Sequence, residues 1–239
     1  MTTVRMKPLD AVWLMIDSAD TPMHVGVLAI FEKPRNAPGD YLSKLAAEMR
    51  KFREPAAPWG YRLGRGRGAS ISPRLVEESD FDLDYHFRHS ALPEPGGERE
   101  LGVVVSRLHS HPLDKSMPLW ELHLIEGLER DRFAVYVKVH HALVDSINGI
   151  DMVLSMLSDS ARSRDMPPLW AQPLGSGEWD GEDARESSLP DPVESLTSAS
   201  KAAMDLVRNA LRNRGESRFR WPSGIPRSTL NRRISSQRR

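Results

Sequence analysis

A chain of 239 residues with 39% hydrophobic side chains is long enough to bury a core, as one large domain or two small ones. Lysine plus arginine equals aspartate plus glutamate at 33 each, so no global charge argues for nucleic acid, and with no cysteine there is neither a disulfide nor a thiol nucleophile. No apolar run of about 18 residues is present, and the opening MTTVRMKPLD lacks the apolar stretch of a signal peptide, so a cytoplasmic protein is expected.

Leu9, Val12, Trp13 and Ile16 share one helical face, with Asp10 in the first turn, where a negative charge is favourable. Thr21-Pro22 breaks that pattern. His24 to Phe31 then reads as a nearly continuous apolar strand, a composition that predicts burial on both faces, with His24 at the strand entrance. Tyr41, Leu42, Leu45, Ala46 and Met49 repeat at helical spacing behind Asp40, a residue suited to cap them. Between Arg62 and Gly68 glycine alternates with arginine, but no Gly-Lys-Ser/Thr leads into a helix. The stretch therefore reads as a loop or hairpin with solvated arginines rather than a phosphate cradle.

Phe81, Leu83, Tyr85 and Phe87 alternate with Asp82, Asp84 and His86, which predicts a strand whose polar face is solvated. Pro93, Pro95, Gly96 and Gly97 end it, and Leu101, Val104, Val105 and Leu108 mark an amphipathic helix that stops near His111-Pro112. Pro118-Leu119-Trp120 opens a further strand to Ile125. Glu129 to Arg132 turns it back as a hairpin into Phe133, Val135, Val137 and Val139, alternating with Ala134, Tyr136 and Lys138. That pairing sets Trp120 close to the far end of the hairpin.

At that end stand His140 and His141, followed by Asp145 as a cap and by Ile147, Ile150, Val153, Leu154 and Leu157 at helical spacing. By parity His141 continues the buried face and His140 the face of Lys138, so the two rings point apart and one metal ion could not easily take both; no metal site is expected. An imidazole at a strand end is suited to take a proton near neutral pH, which makes His141 a candidate base. Two accounts of the residues stand at this point: a base oriented by its neighbours, or a satisfied core histidine with Asp145 as a helix cap alone.

HHALVDS resembles the HHxxxDG motif of the CoA-dependent acyltransferase superfamily. PLDAVWLMIDSADTPMHVGVLAIFE, FDLDYHFRHSALPEPG and HPLDKSMPLWELHLIEGL are similar, in the same order, to landmarks of the bacterial wax ester synthase/diacylglycerol acyltransferase family, and the likeness covers most of residues 5 to 157. The resemblance implies an α+β fold: a chloramphenicol acetyltransferase-like two-layer sandwich, a mixed sheet with helices packed on it, forming the first of the family's two domains. It also implies direct transfer of a fatty acyl group from acyl-CoA to diacylglycerol or a long-chain alcohol. His141 would be the catalytic base, His140 a supporting member, and Asp145 a structural group that holds the motif through an ion pair. Pro118 and Trp120 would keep the catalytic strand in register, and His24 would lie near the channel. No cofactor is implied beyond acyl-CoA as a substrate.

Ser146 stands where the motif has glycine. If that position required a positive φ, serine would cost on the order of 1 kcal/mol; as a first helical residue it would cost little. On this reading residues 1–157 are the N-terminal acyltransferase domain. Residues 158–192, rich in Pro, Gly, Asp, Glu and Ser, form a disordered or mobile connector, and 193–239 an amphipathic helix and basic tail leading to a missing second domain, with a complementing C-terminal half as a partner. Arg212, Arg214, Arg218 and Arg220 begin a tail that also carries Phe219 and Trp221, the composition of a peripheral contact with a membrane or lipid droplet. The alternative is a truncated, non-catalytic half that binds a lipid surface or a partner.

Overall fold

The sheet that carries the two histidines is built on a hairpin of β6 (Trp120–Leu128) and β7 (Arg132–His140). Arg130 and Asp131 turn it through φ of 61° and 54°, the left-handed pair that a tight hairpin between twisted strands requires. The computed structural model describes residues 2–6, 8–65, 73–144, 146–158, 160, 163 and 166–174. β2 (His24–Glu32) pairs antiparallel with the free side of β7, from His24 opposite His140 to Glu32 opposite Arg132. β5 (Phe87–Ala91) lies parallel to β6, which gives the mixed order β2-β7-β6-β5. A smaller antiparallel sheet, β1-β4-β3, joins β1 (Thr3–Arg5), β4 (Arg74–Glu77) and β3 (Tyr61–Leu63).

Helix α4 (Glu98–Ser110) packs Leu101, Val104, Val105 and Leu108 on Ile125, Leu128, Ala134 and Tyr136, covering one face of the larger sheet. Its first turn is closed by the Glu100 carboxylate, which accepts the Gly97 N–H at 3.0 Å. The opposite face, with Trp120, Leu122, Leu124, Val137 and Val139, meets the main core. That core includes Leu42 and Ala46 of α2 (Tyr41–Met49), Leu75 of β4 and Met152 of α5 (Ser146–Ser155). Burial of each such aliphatic side chain contributes about 1.5–3 kcal/mol relative to exposure. α1 (Pro8–Ile16) lays Trp13 and Leu14 against the same core.

Three aromatic N–H groups in this core find carbonyl acceptors. Trp59 Nε1–H donates to Gln172 O (2.8 Å), Trp120 Nε1–H to Trp59 O (2.8 Å) and Trp170 Nε1–H to Phe52 O (2.7 Å). Large rings are thereby buried without stranding a donor.

Four sequence expectations need correction. β2 is an edge strand, with Val25, Leu28 and Ile30 exposed, because its outer side has no described neighbour; apolar composition did not translate into burial on both faces. Residues 83–86 form a short helix, α3 (Leu83–His86), ahead of β5. Asp82 caps it by accepting the Asp84 and Tyr85 N–H groups, and His86 turns inward to full burial instead of facing solvent. Asp40 precedes α2 without a side-chain cap bond and pairs instead with Lys44 at 2.9 Å. Finally, the described residues 166–174, expected within the mobile connector, are part of the core: Leu169, Trp170 and Leu174 are buried and residues Leu169–Ala171 make a 3-10 turn. The proposed helix and basic tail of 193–239 lie outside the described residues.

Candidate active site

β7 ends at His140, so the two histidines do not continue one strand. The His140 N–H donates to Leu119 O (3.0 Å) as the last rung toward β6, and its own carbonyl accepts the Leu143 N–H (2.9 Å) to start the turn that leads toward α5. His141 is already in that turn, where its N–H donates to Met23 O at 2.9 Å. Parity therefore fails at this point, and the burial is the reverse of that expected. His140 is 2% exposed, with Asp17 and the paired His24 beside it, whereas His141 is partly exposed.

The two rings differ in chemistry as much as in burial. His140 Nδ1 accepts the Ala142 N–H at 3.0 Å, which leaves the proton of the neutral ring on Nε2. That nitrogen is buried 3.6 Å from Asp17 Oδ2, too far for a hydrogen bond though close enough for charge to be felt. Burial, opposed only in part by Asp17, pushes the His140 pKa down to about 4, so the ring is neutral at pH 7. His141 instead stacks on the Trp13 indole, with ring centroids 4.1 Å apart and planes 10° from parallel. Its Nδ1 is buried with no hydrogen-bond partner among the described residues.

Asp17 connects the pieces. Its Oδ1 accepts the Met23 N–H (2.7 Å) and its Oδ2 lies 2.6 Å from Lys115 Nζ. Burial alone would raise its pKa, but Lys115, the Met23 amide and His140 together hold it below the usual carboxylate range. One carboxylate thus ties the end of α1, the entrance of β2 and the loop before β6 to the histidine strand end. Sequence reading gave it no role: Asp17 lies inside the PLDAVWLMIDSADT landmark, but it follows the last helical residue of α1 and carries no periodicity to single it out. Lys115, inside the HPLDK landmark, was equally unmarked.

Beneath α4 runs a second polar set on the same sheet face. Lys138 Nζ donates to Leu108 O and His111 O, both at 2.9 Å, at the C-terminal end of α4, where a cation suits the helix dipole. Glu121 Oε2 lies 3.3 Å from both Lys138 Nζ and His123 Nε2. His24 Nε2–H donates to His109 O (2.7 Å), and His109 Nδ1 is 2.8 Å from the Tyr136 hydroxyl. Gly26 permits that meeting, because a Cβ there would stand 2.8 Å from the Tyr136 hydroxyl oxygen. His24 is therefore engaged with α4.

Trp120 lies opposite Val139 in the hairpin, near the histidine end as expected, and is fully buried, stacked on His86 and Trp170; its backbone N–H donates to Pro118 O at 2.9 Å. Ser146 is the first residue of α5, so the serine sits in helical backbone, where it costs little. Asp145 lies outside the described residues. Among the described residues no group of three or more His, Cys, Asp or Glu side chains is placed to hold a metal ion.

Residues 6–239 match the family described as the wax ester synthase/diacylglycerol acyltransferase catalytic domain. The chain belongs to this family. Within it, a wax ester synthase/diacylglycerol acyltransferase from Marinobacter aquaeolei superposes with a TM-score of 0.67 and 38% identity, over 86% of this chain and 46% of that one. The fold is accordingly the α+β, chloramphenicol acetyltransferase-like one expected. The O-acyltransferase WSD of Acinetobacter baylyi is 33% identical over 248 residues, 98% of this chain and 51% of its own. A Mycobacterium tuberculosis protein provisionally named a diacylglycerol O-acyltransferase is 48% identical over 158 residues, 66% of this chain and 32% of its own. This wax ester synthase/diacylglycerol acyltransferase family chain thus spans about half the length, or less, of the relatives it matches.

Proposed function

We propose that the chain carries the base of an O-acyl transfer from acyl-CoA to diacylglycerol or a long-chain alcohol, and that His141 is that base. The observation that carries this reading is the contrast between neighbouring imidazoles. His140 is spent on structure, with Nδ1 occupied by the Ala142 amide and Nε2 buried beside Asp17. His141 is partly exposed just beyond the strand end, and with Nδ1 turned inward its Nε2 is the nitrogen left for a substrate.

In this mechanism Nε2 of His141 takes the proton of the acceptor hydroxyl as its oxygen attacks the thioester carbonyl. The tetrahedral intermediate collapses with cleavage of the carbon–sulfur bond, the ester is released, and the proton on His141 passes to the departing CoA sulfur. General-base help of this kind is worth roughly 10²- to 10⁴-fold, with the remainder supplied by positioning and by stabilisation of the oxyanion. Neither an acyl-enzyme nor a cofactor enters. The hydrophobic acceptors favour work at a lipid surface, and a peripheral contact through the tail that carries Arg212, Arg214, Arg218, Phe219, Arg220 and Trp221 is part of this proposal.

The test supplies the 239-residue chain with radiolabelled palmitoyl-CoA and either diacylglycerol or hexadecanol. Labelled triacylglycerol or wax ester from the wild-type chain, abolished in His141→Ala, is the expected result. Ester formation by His141→Ala at the wild-type rate, or none from the wild-type chain, would overturn the proposal. Binding to anionic vesicles without any turnover would favour a non-catalytic, lipid-binding half.

A further inference from the structure

A general base must be held at one angle, and the usual means is a hydrogen bond from its second nitrogen to a carboxylate or carbonyl. His141 has no such bond among the described residues, because its Nδ1 is buried without a partner. What does touch the ring is the indole of Trp13, parallel to within 10° at a centroid separation of 4.1 Å. This is face-to-face contact at van der Waals distance, which fixes the plane of the imidazole by occupying its face rather than the edge that carries Nε2.

Resting on the assignment of His141 as the base, we infer that Trp13 is the positioning residue of the transfer reaction, holding the His141 ring by its face and steadying it while it carries the proton. The backbone arrangement points the same way. Trp13 and Asp17 are one helical turn apart at the end of α1, joined by the Asp17 N–H donating to Trp13 O at 3.1 Å. Trp13 grips the His141 ring. Asp17 grips its main chain at one remove, since its carboxylate fixes the Met23 N–H and the Met23 carbonyl accepts the His141 N–H. Both holds come from a helix end that is itself packed on the core through Trp13 and Leu14.

The indole does more than wedge the ring. Between removal of the hydroxyl proton and its delivery to the leaving sulfur, His141 is an imidazolium, and the face of tryptophan is the aromatic surface most attractive to a cation. The stack therefore strengthens in the transition state relative to the ground state, which is the condition for a contact to raise kcat rather than merely tighten binding.

The experiment compares Trp13→Leu and Trp13→Phe with the wild-type chain in three measurements: kcat and KM for palmitoyl-CoA and hexadecanol, the thermal unfolding midpoint, and the NMR shifts of the His141 ring protons, assigned by their loss in His141→Gln. The expected result for Trp13→Leu is a fall in kcat on the order of tenfold at unchanged KM, measured at a temperature where the chain is still fully folded despite the lower unfolding midpoint that trimming a core-packed ring brings, with Trp13→Phe recovering most of it. In the same variant the upfield ring-current displacement of the His141 protons disappears. A raised KM at constant kcat would make Trp13 a substrate-pocket wall, and a lowered unfolding midpoint that accounts for the lost activity would make it core filling. Either outcome overturns the inference, as do His141 ring shifts that ignore the substitution. Failure of the base assignment is read separately, from the activity of His141→Ala.

Discussion

Lys138 Nζ and Glu121 Oε2 meet at 3.3 Å on the sheet face that α4 covers, with the lysine side chain 1% and the glutamate side chain 11% exposed. Both groups are taken out of water, and each is compensated by more than the other. Lys138 also binds the Leu108 and His111 carbonyls, and Glu121 also faces His123. Burial pushes the Glu121 carboxyl up, yet His123 and Lys138 outweigh it and hold the pKa at about 2. The pair secures the end of α4 to β7 two residues ahead of His140.

Breaking that pair from one side leaves an uncompensated buried charge. Lys138→Met is expected to cost about 3–5 kcal/mol of unfolding free energy, whereas Lys138→Met combined with Glu121→Leu regains much of it. Urea unfolding of the two variants reads the difference. A single substitution that costs no more than the double one would show the pair to be dispensable.

The histidines set the acid limit of stability. His140 titrates at about 4 in the folded chain against 6.5 for an unperturbed imidazole, and burial lowers His24 and His86 as well. The groups acting on His140 are Asp17 on the end of α1, Lys115 in the loop before β6 and His24 on β2. Between pH 6.5 and 4 the unfolded chain binds more protons than the folded one, so stability is fully present above 6.5 and is lost as pH falls toward 4. Glu121, depressed from 4.5 to about 2, extends the same loss below pH 4.5. Urea midpoints measured from pH 7.5 down to 4 should fall continuously, with a shallower slope in His140→Gln; a flat profile over that window would contradict buried neutral rings.

Asp17 offers a test of whether main-chain support or charge matters more at the site. Asp17→Asn keeps an oxygen for the Met23 N–H but gives up the charge opposite Lys115, and Asp17→Ala removes both. The alanine variant should lose about 2–3 kcal/mol and show the lower kcat of the two, because Met23 and with it the His141 amide are released. Equal losses in the two variants would assign the effect to the Lys115 ion pair instead.

How much of this was legible in the sequence follows from what each signal encodes. The hairpin of β6 and β7, helices α1, α2 and α4, and the placing of Trp120 near the histidine end were readable because they rest on periodicity and turn chemistry. The motif likeness led to the family without any structure. The relative roles of His140 and His141 could not be read by parity, since strand alternation stops where the strand stops, and that end point depends on the Leu119 and Met23 contacts. Asp17, Lys115 and the stacking of Trp13 on His141 were invisible for a related reason. They join segments a hundred or so residues apart or more, 98 for Asp17 and Lys115 and further still for Trp13 and His141, and no local pattern reports such a meeting. Residues 81–87 were misjudged because an alternating pattern over so few residues also suits a capped helical turn running into a strand.

The boundary of the folded unit is where composition misled most, and it yields a direct prediction. Pro167, Pro168 and Pro173 mark a segment poor in regular structure, and the same segment sends Trp170 to full burial against Phe87 and Trp120, with its N–H on the Phe52 carbonyl. Proline-rich composition reports a lack of helix or ladder hydrogen bonds; it does not report whether side chains dock. If residues 166–174 were a tether, Trp170→Ala would change stability by no more than about 0.5 kcal/mol, the usual range for a surface site. As a core residue it should cost about 3–5 kcal/mol, with loss of a hydrogen bond to Phe52 included. Thermal and urea unfolding of that single variant decide between the two, and a near-neutral result would return these residues to the connector.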